Sequence, residues 1–139
     1  MNCIAFSENG YHVATSSSAP STSVLIWDLR KLKSIATINP NGGEDDTNLG
    51  RVTSVAFDPS GLCLAYSGEE ATKICVVKDV DRVICTLVPS KSGRKSAKKK
   101  DDEVVNGGVV WGGAGGEGGK VWLASGCDVE RPLRIWGAE

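Results

Sequence analysis

Between Lys91 and Lys100, ten residues carry six positive charges: Lys91, Arg94, Lys95, Lys98, Lys99 and Lys100. Such a patch can contact phosphates or be read as a nuclear-import signal. A polar, like-charged run is equally what a solvated, unpacked insert looks like. No aromatic residue is interleaved, so the run offers no base stacking. The acidic cluster Asp101-Asp102-Glu103 that follows reads as a solvated loop rather than a general acid–base pair. His12 is the single histidine. It cannot complete a nucleophile–base–acid triad with scattered serines, and it reads as a structural residue in a strand. The run GGAGGEGG at 112–119 lacks the Gly-Lys-Ser/Thr ending of a phosphate loop and reads as a flexible hairpin insert. Five cysteines (Cys3, Cys63, Cys75, Cys85 and Cys127) contain no C-x-x-C pair and sit among Val, Ile, Leu and Ala. They read as small buried hydrophobes in a reducing compartment. The expectation is therefore no catalytic residue, no cofactor and no metal ligand set.

The whole chain points the same way. Its 139 residues suit one domain, and a net charge of −1 exerts no overall pull toward nucleic acid or membrane. No apolar run approaches the roughly 18 residues of a membrane-spanning helix. No basic segment followed by an apolar core marks a signal peptide near Met1. Gly is abundant, with 17 residues, and there are 4 Trp, a composition that suits many short strands joined by tight turns.

Alternation with period two dominates the chain. Residues 3–7, 11–17, 23–29 and 34–38 read as four strands, with Asn9-Gly10 as a hairpin signal between the first two. The pattern then repeats. NCIAFSENGYHVATSS aligns without a gap on TSVAFDPSGLCLAYSG. Asn2, Ala5, Phe6, Gly10 and Ala14 fall on Thr53, Ala56, Phe57, Gly61 and Ala65, each 51 residues on. Residues 73–79 and 82–88 echo the third and fourth strands, which sets Val77-Lys78 against Trp27-Asp28. A degenerate third copy uses Val109-Val110-Trp111, KVWLASG (120–126) and LRIWG (133–137). A repeat of four short strands is the strongest signal in the chain.

Trp27-Asp28 closes the apolar run SVLIW. In a stack of sheets, a third strand covered on both faces reads as a continuous apolar run. Trp27 would end that run as a wedge whose N–H needs a partner, and Asp28 would turn to solvent or to the next turn, accepting backbone N–H groups there. The pair marks a strand end and not a reaction. With Trp136 ending the third copy, this pattern resembles the WD40-repeat family over nearly the whole chain. The resemblance implies an all-β fold: a partial WD40 β-propeller of about three four-stranded antiparallel blades, the last one incomplete. It divides the chain into a blade at 1–38, an insert at 39–50, a blade at 51–88, a basic insert at 89–103 and an incomplete blade at 104–139. The Gly-His pair that precedes the first strand in that family is absent, so the full Asp–His–Ser/Thr–Trp tetrad cannot form in any blade.

Within the family, FSENGY (Phe6–Tyr11) and WDLRKLK (Trp27–Lys33) resemble the C-terminal propeller of the splicing-associated U-box ubiquitin ligases of the pre-mRNA-processing factor 19 family. That resemblance implies a nuclear protein-interaction module that binds splicing-complex subunits and ubiquitination substrates. Catalysis would belong to a U-box outside this sequence, since none is present in it. An unrelated WD40 scaffold is the alternative. A ring needs at least four blades of roughly 40 residues. The chain therefore reads as the C-terminal part of a larger propeller, its missing blades supplied by the rest of the protein, or as a truncated reading frame. The basic patch would then offer an import signal or a phosphate contact with RNA.

Overall fold

The computed structural model describes residues 2–17, 22–42, 47–88, 106–113, 121–127 and 134–138. Among them there are only strands and turns. The first sheet is built from β1 (Cys3–Phe6), β2 (His12–Ser17), β3 (Ser23–Asp28) and β4 (Lys33–Ile38). The second comprises β5 (Ser54–Phe57), β6 (Cys63–Ser67), β7 (Thr72–Val76) and β8 (Asp79–Leu87). The third has β9 (Asn106–Gly113), β10 (Val121–Cys127) and β11 (Arg134–Ala138). Each sheet is an antiparallel meander in chain order, with four, four and three strands. This is the all-β architecture of partial propeller blades. The glycine-rich 112–119 run begins inside β9 at Gly112 and Gly113. Its remainder, like the 89–103 insert, lies outside the described residues.

Local chemistry explains the hairpins. Ser7 and Asp58 occupy equivalent positions and do equivalent work. The Ser7 hydroxyl accepts the His12 N–H at 3.0 Å, and the Asp58 carboxylate accepts the Cys63 N–H at 2.8 Å. Gly10 and Gly61 follow with φ of 72° and 70°, a left-handed conformation in which glycine has no Cβ penalty. The connection is longer than the two-residue loop that Asn-Gly signals, because Asn9 folds back and its Oδ1 accepts both the Ser7 hydroxyl at 2.7 Å and the Tyr11 N–H at 2.9 Å.

The 51-residue offset holds in the first two strands. Ala5 pairs with Ala14, and Ala56 with Ala65. It fails in the third. Ala14 faces Ile26, whereas Ala65 faces Ile74, an offset of 48. The turn bonds agree: Leu29 N–H donates to Tyr11 O and Val77 N–H to Leu62 O, each at 2.8 Å. Val77 therefore takes the place of Leu29. The counterparts of Trp27-Asp28 are Cys75-Val76, not Val77-Lys78. The cause is that Ser67 reaches its partner Thr72 by a path three residues shorter than the path from the equivalent Ser16 to its partner Val24, which advances the register of β7 against its own hairpin.

Residues directly opposite one another share a face of the sheet. In the first sheet Ala5, Ala14, Ile26 and Ala36 share one face. Ala14, Val24, Ile26 and Ile38 join a single buried cluster with Val55, Phe57, Leu64, Tyr66 and Cys75 of the second sheet. The opposite face of the second sheet packs Ala56, Ala65 and Ile74 on Val109 and Trp111. Thus one face of each blade seats on the other face of the next. Leu49, Val52 and Ala71 complete the main core. Gly68 is required there, because a Cβ would collide with the Leu49 carbonyl oxygen.

Candidate functional site

The β3–β4 turn is built around a buried carboxylate. Asp28 is 2% exposed, so it is buried and turned into the turn rather than to solvent. Its carboxylate accepts the backbone N–H of Arg30 at 2.9 Å and of Lys31 at 3.3 Å, and the Arg30 guanidinium at 3.2 and 3.0 Å. Arg30 lies over the Tyr11 ring, 4.4 Å from its centroid, where the ring face favours a cation. The Arg30 side chain, with the two backbone N–H groups, holds the Asp28 carboxyl at about 2, well below its usual range and against the opposing effect of burial. Trp27 Nε1–H donates to Thr15 Oγ1 at 3.1 Å. The indole N–H at the end of the apolar run therefore has a hydroxyl partner on β2. These groups clamp a turn; no reacting atom is presented by them.

The run ending at Trp27 is covered on one face only. Val24, Ile26 and Asp28 are buried, whereas Leu25 is half-buried and Trp27 exposed. Ile4 and Phe6 share that open face by register. At the equivalent positions of the second blade, Val55 and Phe57 are buried against the first blade. His12 stacks on Phe57 with ring centroids 6.5 Å apart and planes at 27°. His12 Nδ1 is buried with no hydrogen-bond partner among the described residues. The histidine is part of the blade junction, with no serine–carboxylate pair aligned on it. The third blade is tied on by polar contacts. Trp111 Nε1–H donates to Ala56 O at 3.0 Å, and Val109 N–H to Ser54 Oγ at 3.2 Å.

Of the cysteines, Cys75 is buried, and Cys3, Cys63 and Cys85 are half-buried free thiols. Burial, then the neighbouring Cys63, pushes the Cys75 thiol up to about 12, so it is a poor nucleophile. No group of three or more His, Cys, Asp or Glu side chains converges among the described residues. Trp136 pairs with Leu123 in the third sheet; its side chain lies outside the described residues. So do Lys91, Arg94, Lys95, Lys98, Lys99 and Lys100, together with Asp101-Asp102-Glu103. Sequence reasoning missed the part Arg30 plays in holding Asp28. The spacing of two between an acid and an arginine at a strand end is the signal that was available.

No family model matches the chain. Over 80 residues, 58% of this chain, it is 41% identical to pre-mRNA-processing factor 19 of Oryza sativa subsp. japonica. The sequence is close to pre-mRNA-processing factor 19. A second relative agrees: pre-mRNA-processing factor 19 homolog 2 of Arabidopsis thaliana is 38% identical over 99 residues, 70% of this chain. The chain spans 14% and 16% of the lengths of these two factor 19 relatives.

Proposed function

We propose that this chain is a WD40-type protein-interaction module of a pre-mRNA-processing factor 19-like protein. It holds splicing-complex subunits and ubiquitination substrates for a U-box carried elsewhere in the longer protein. It acts in the nucleus, in pre-mRNA splicing. The observation that carries this reading is the combination of 38–41% identity to two plant factor 19 proteins with stacked antiparallel blades. A blade stack is a rigid frame, and frames of this kind present loops and faces to other proteins.

In this reading 1–38, 51–88 and 104–139 are blades of a C-terminal propeller segment, and 39–50 and 89–103 are inserts between them. The open face bearing Ile4, Phe6, Leu25 and Trp27 is then where a further blade of the longer protein seats, as the first blade seats on Val55 and Phe57. Lys91, Arg94, Lys95, Lys98, Lys99 and Lys100 serve nuclear import or contact RNA phosphates. The test uses the tagged full-length protein with and without Phe57→Asp, which places a charge in the blade junction. Co-purification of splicing-complex subunits should be lost while U-box-dependent autoubiquitination persists. Retention of every subunit by the variant, with the propeller shown to be unfolded, would overturn the reading.

A further inference from the structure

Among the described residues, Leu32 is the one non-glycine position with a left-handed backbone, at φ 52°. That conformation strains a bulky side chain and is ordinarily left to Gly or Asn. Packing does not offset the strain, since Leu32 is 86% exposed. The turn that presents it is braced from below. Asp28 accepts the Arg30 and Lys31 N–H groups and pairs across the strand ends with Lys33. A leucine here contributes nothing to the fold that Gly or Asn would not supply with less strain. What it adds is an apolar side chain held out to solvent.

Further apolar side chains share this end of the blades. Leu29 N–H donates to Tyr11 O at 2.8 Å, which sets the two side by side. Leu62 stands 51 residues after Tyr11, and the hairpin turns before them meet where Asn9 Nδ2 abuts Gly61. Tyr11, Leu29 and Leu62 are all exposed. Charge selects the partner. Lys31 and Lys33 flank Leu32 and are exposed, and among the described residues neither joins an ion pair. Asp28 is already held by Arg30, and Glu8 is the exposed acid of the neighbouring β1–β2 turn. Two open cations against one acid give the patch a net positive rim. An apolar centre with a charged rim is the anatomy of a protein interface, and complementarity calls for carboxylates on the partner. A preformed turn also loses little freedom on binding. One projecting leucine and two lysines are too little to anchor the chain on a bilayer, where even a full acyl chain binds marginally.

We propose that the β3–β4 turn, with Tyr11 and Leu62 beside it, is a docking surface for an acidic segment of a partner protein whose large apolar side chains cover Leu32 and whose carboxylates meet Lys31 and Lys33. The proposal rests on the protein-interaction reading above and names the chemistry of one partner segment.

The test titrates the full chain with a fluorescent heptapeptide, acetyl-Glu-Asp-Leu-Phe-Leu-Glu-Asp-amide, and follows its anisotropy. One control peptide replaces every acid by Lys, and a second replaces Leu-Phe-Leu by Ala. Vesicles of phosphatidylserine and phosphatidylcholine in equal parts serve as competitor. The acidic peptide should bind, the Lys peptide should not, and the Ala peptide should be weaker by about tenfold or more, the scale of burying one large apolar side chain. Leu32→Asn is the decisive variant, because Asn suits the left-handed backbone. It should weaken the acidic peptide about tenfold while the melting temperature rises by a few degrees, two changes of opposite sign that misfolding would not produce. Lys31→Glu with Lys33→Glu should abolish binding of the acidic peptide and admit the Lys peptide. Phe6→Ser, on the open face, should leave the affinity unchanged. An unchanged affinity or a lower melting temperature in Leu32→Asn, equal binding of the acidic and Lys peptides, loss of binding in Phe6→Ser, or displacement of the peptide by vesicles would each overturn the surface. If the peptide fails while the full-length protein still retains its splicing subunits, the surface falls and the module reading stands. Peptide binding intact in a full-length protein that retains no splicing subunit gives the converse.

Discussion

Phe6 and Phe57 are the same residue of the same repeat, 51 positions apart, yet the first is 65% exposed and the second 8%. Ile4 and Val55, one pleat earlier, differ as sharply, at 49% and 6%. The strands, the turn and the hairpin register are shared. Only the neighbour differs: the first blade lies over Phe57, and no described residue lies over Phe6. A blade thus carries two apolar faces by construction, and its stability depends on how many are covered. Burying a large apolar side chain contributes about 1.5–3 kcal/mol relative to leaving it exposed, so the same sequence motif stabilises one blade and leaves the other with a sticky face.

The largest expected effect tests this contrast directly. Phe57→Ala should destabilise the chain by about 3–5 kcal/mol, as for buried aromatic truncations. Phe6→Ala should stay within about 0.5 kcal/mol. Urea unfolding of both variants checks the pair; equal costs would break the comparison. Repeating Phe6→Ala in the full-length protein sharpens it, since a proposed preceding blade there should raise the cost toward that of Phe57.

The equivalent glycines come next. Gly10→Ala forces a left-handed conformation on an alanine with open space around it, a cost of about 1–2 kcal/mol. Gly61→Ala should cost more. Its Cβ would lie 2.5 Å from Asn9 Nδ2, and Asn9 is held by Ser7 and Tyr11. Thermal melts of the two variants should therefore rank Gly61→Ala below Gly10→Ala.

A smaller difference separates the β3–β4 and β7–β8 turns. The first is held by a carboxylate at Asp28, and the equivalent residue of the second is Val76. The Asp28 carboxyl is lowered from 3.8 to about 2. Its contribution to stability is therefore complete above about pH 4 and is lost as pH falls toward 2. Protection of the Arg30 and Lys31 amides, taken against the intrinsic exchange rate at each pH, should fall across that window. Asp28→Asn should remove this acid dependence and leave the β7–β8 turn unchanged. The smallest effect belongs to the basic insert. Replacing Lys98, Lys99 and Lys100 with Ala should change full-length stability by no more than about 0.5 kcal/mol. Nuclear fluorescence should fall, and any RNA binding should show a shallower salt dependence. A large drop in melting temperature with unchanged localisation would make the insert structural.

Much of the fold was legible because its signals are local. Ser7, Asn9 and Gly10 write a hairpin within five residues, and alternation from Cys3 to Phe6 and from His12 to Ser17 writes the strands on either side. The sequence pattern does not fix the register of the third strand of the second blade, because Ile74–Val77 is a uniformly apolar run that suits a strand at either register. Only pairing against Leu64 and Ala65 distinguishes the two. Asp28 is expected from the sequence to turn to solvent or to the next turn; the structure takes the second course, and while the spacing of two signals the Arg30 partner, the stacking of Arg30 on Tyr11 joins two strands and is not written in that spacing. Lys73 is buried with its ammonium on the Pro40 carbonyl, 33 residues away, yet it looks like an ordinary strand residue in sequence.

The chain by itself determined the repeat, the strand order within each sheet and the antiparallel hairpins, because each follows from side-chain alternation and from turn residues only a few positions apart. The tertiary structure decided which apolar face is covered, where β7 pairs and what surrounds Lys73. The covered face and the surroundings of Lys73 are relations between blades, set by packing across separations of a few tens of residues, where local pattern carries no information about the neighbour; the register of β7 is set within its own blade by its connection to β6.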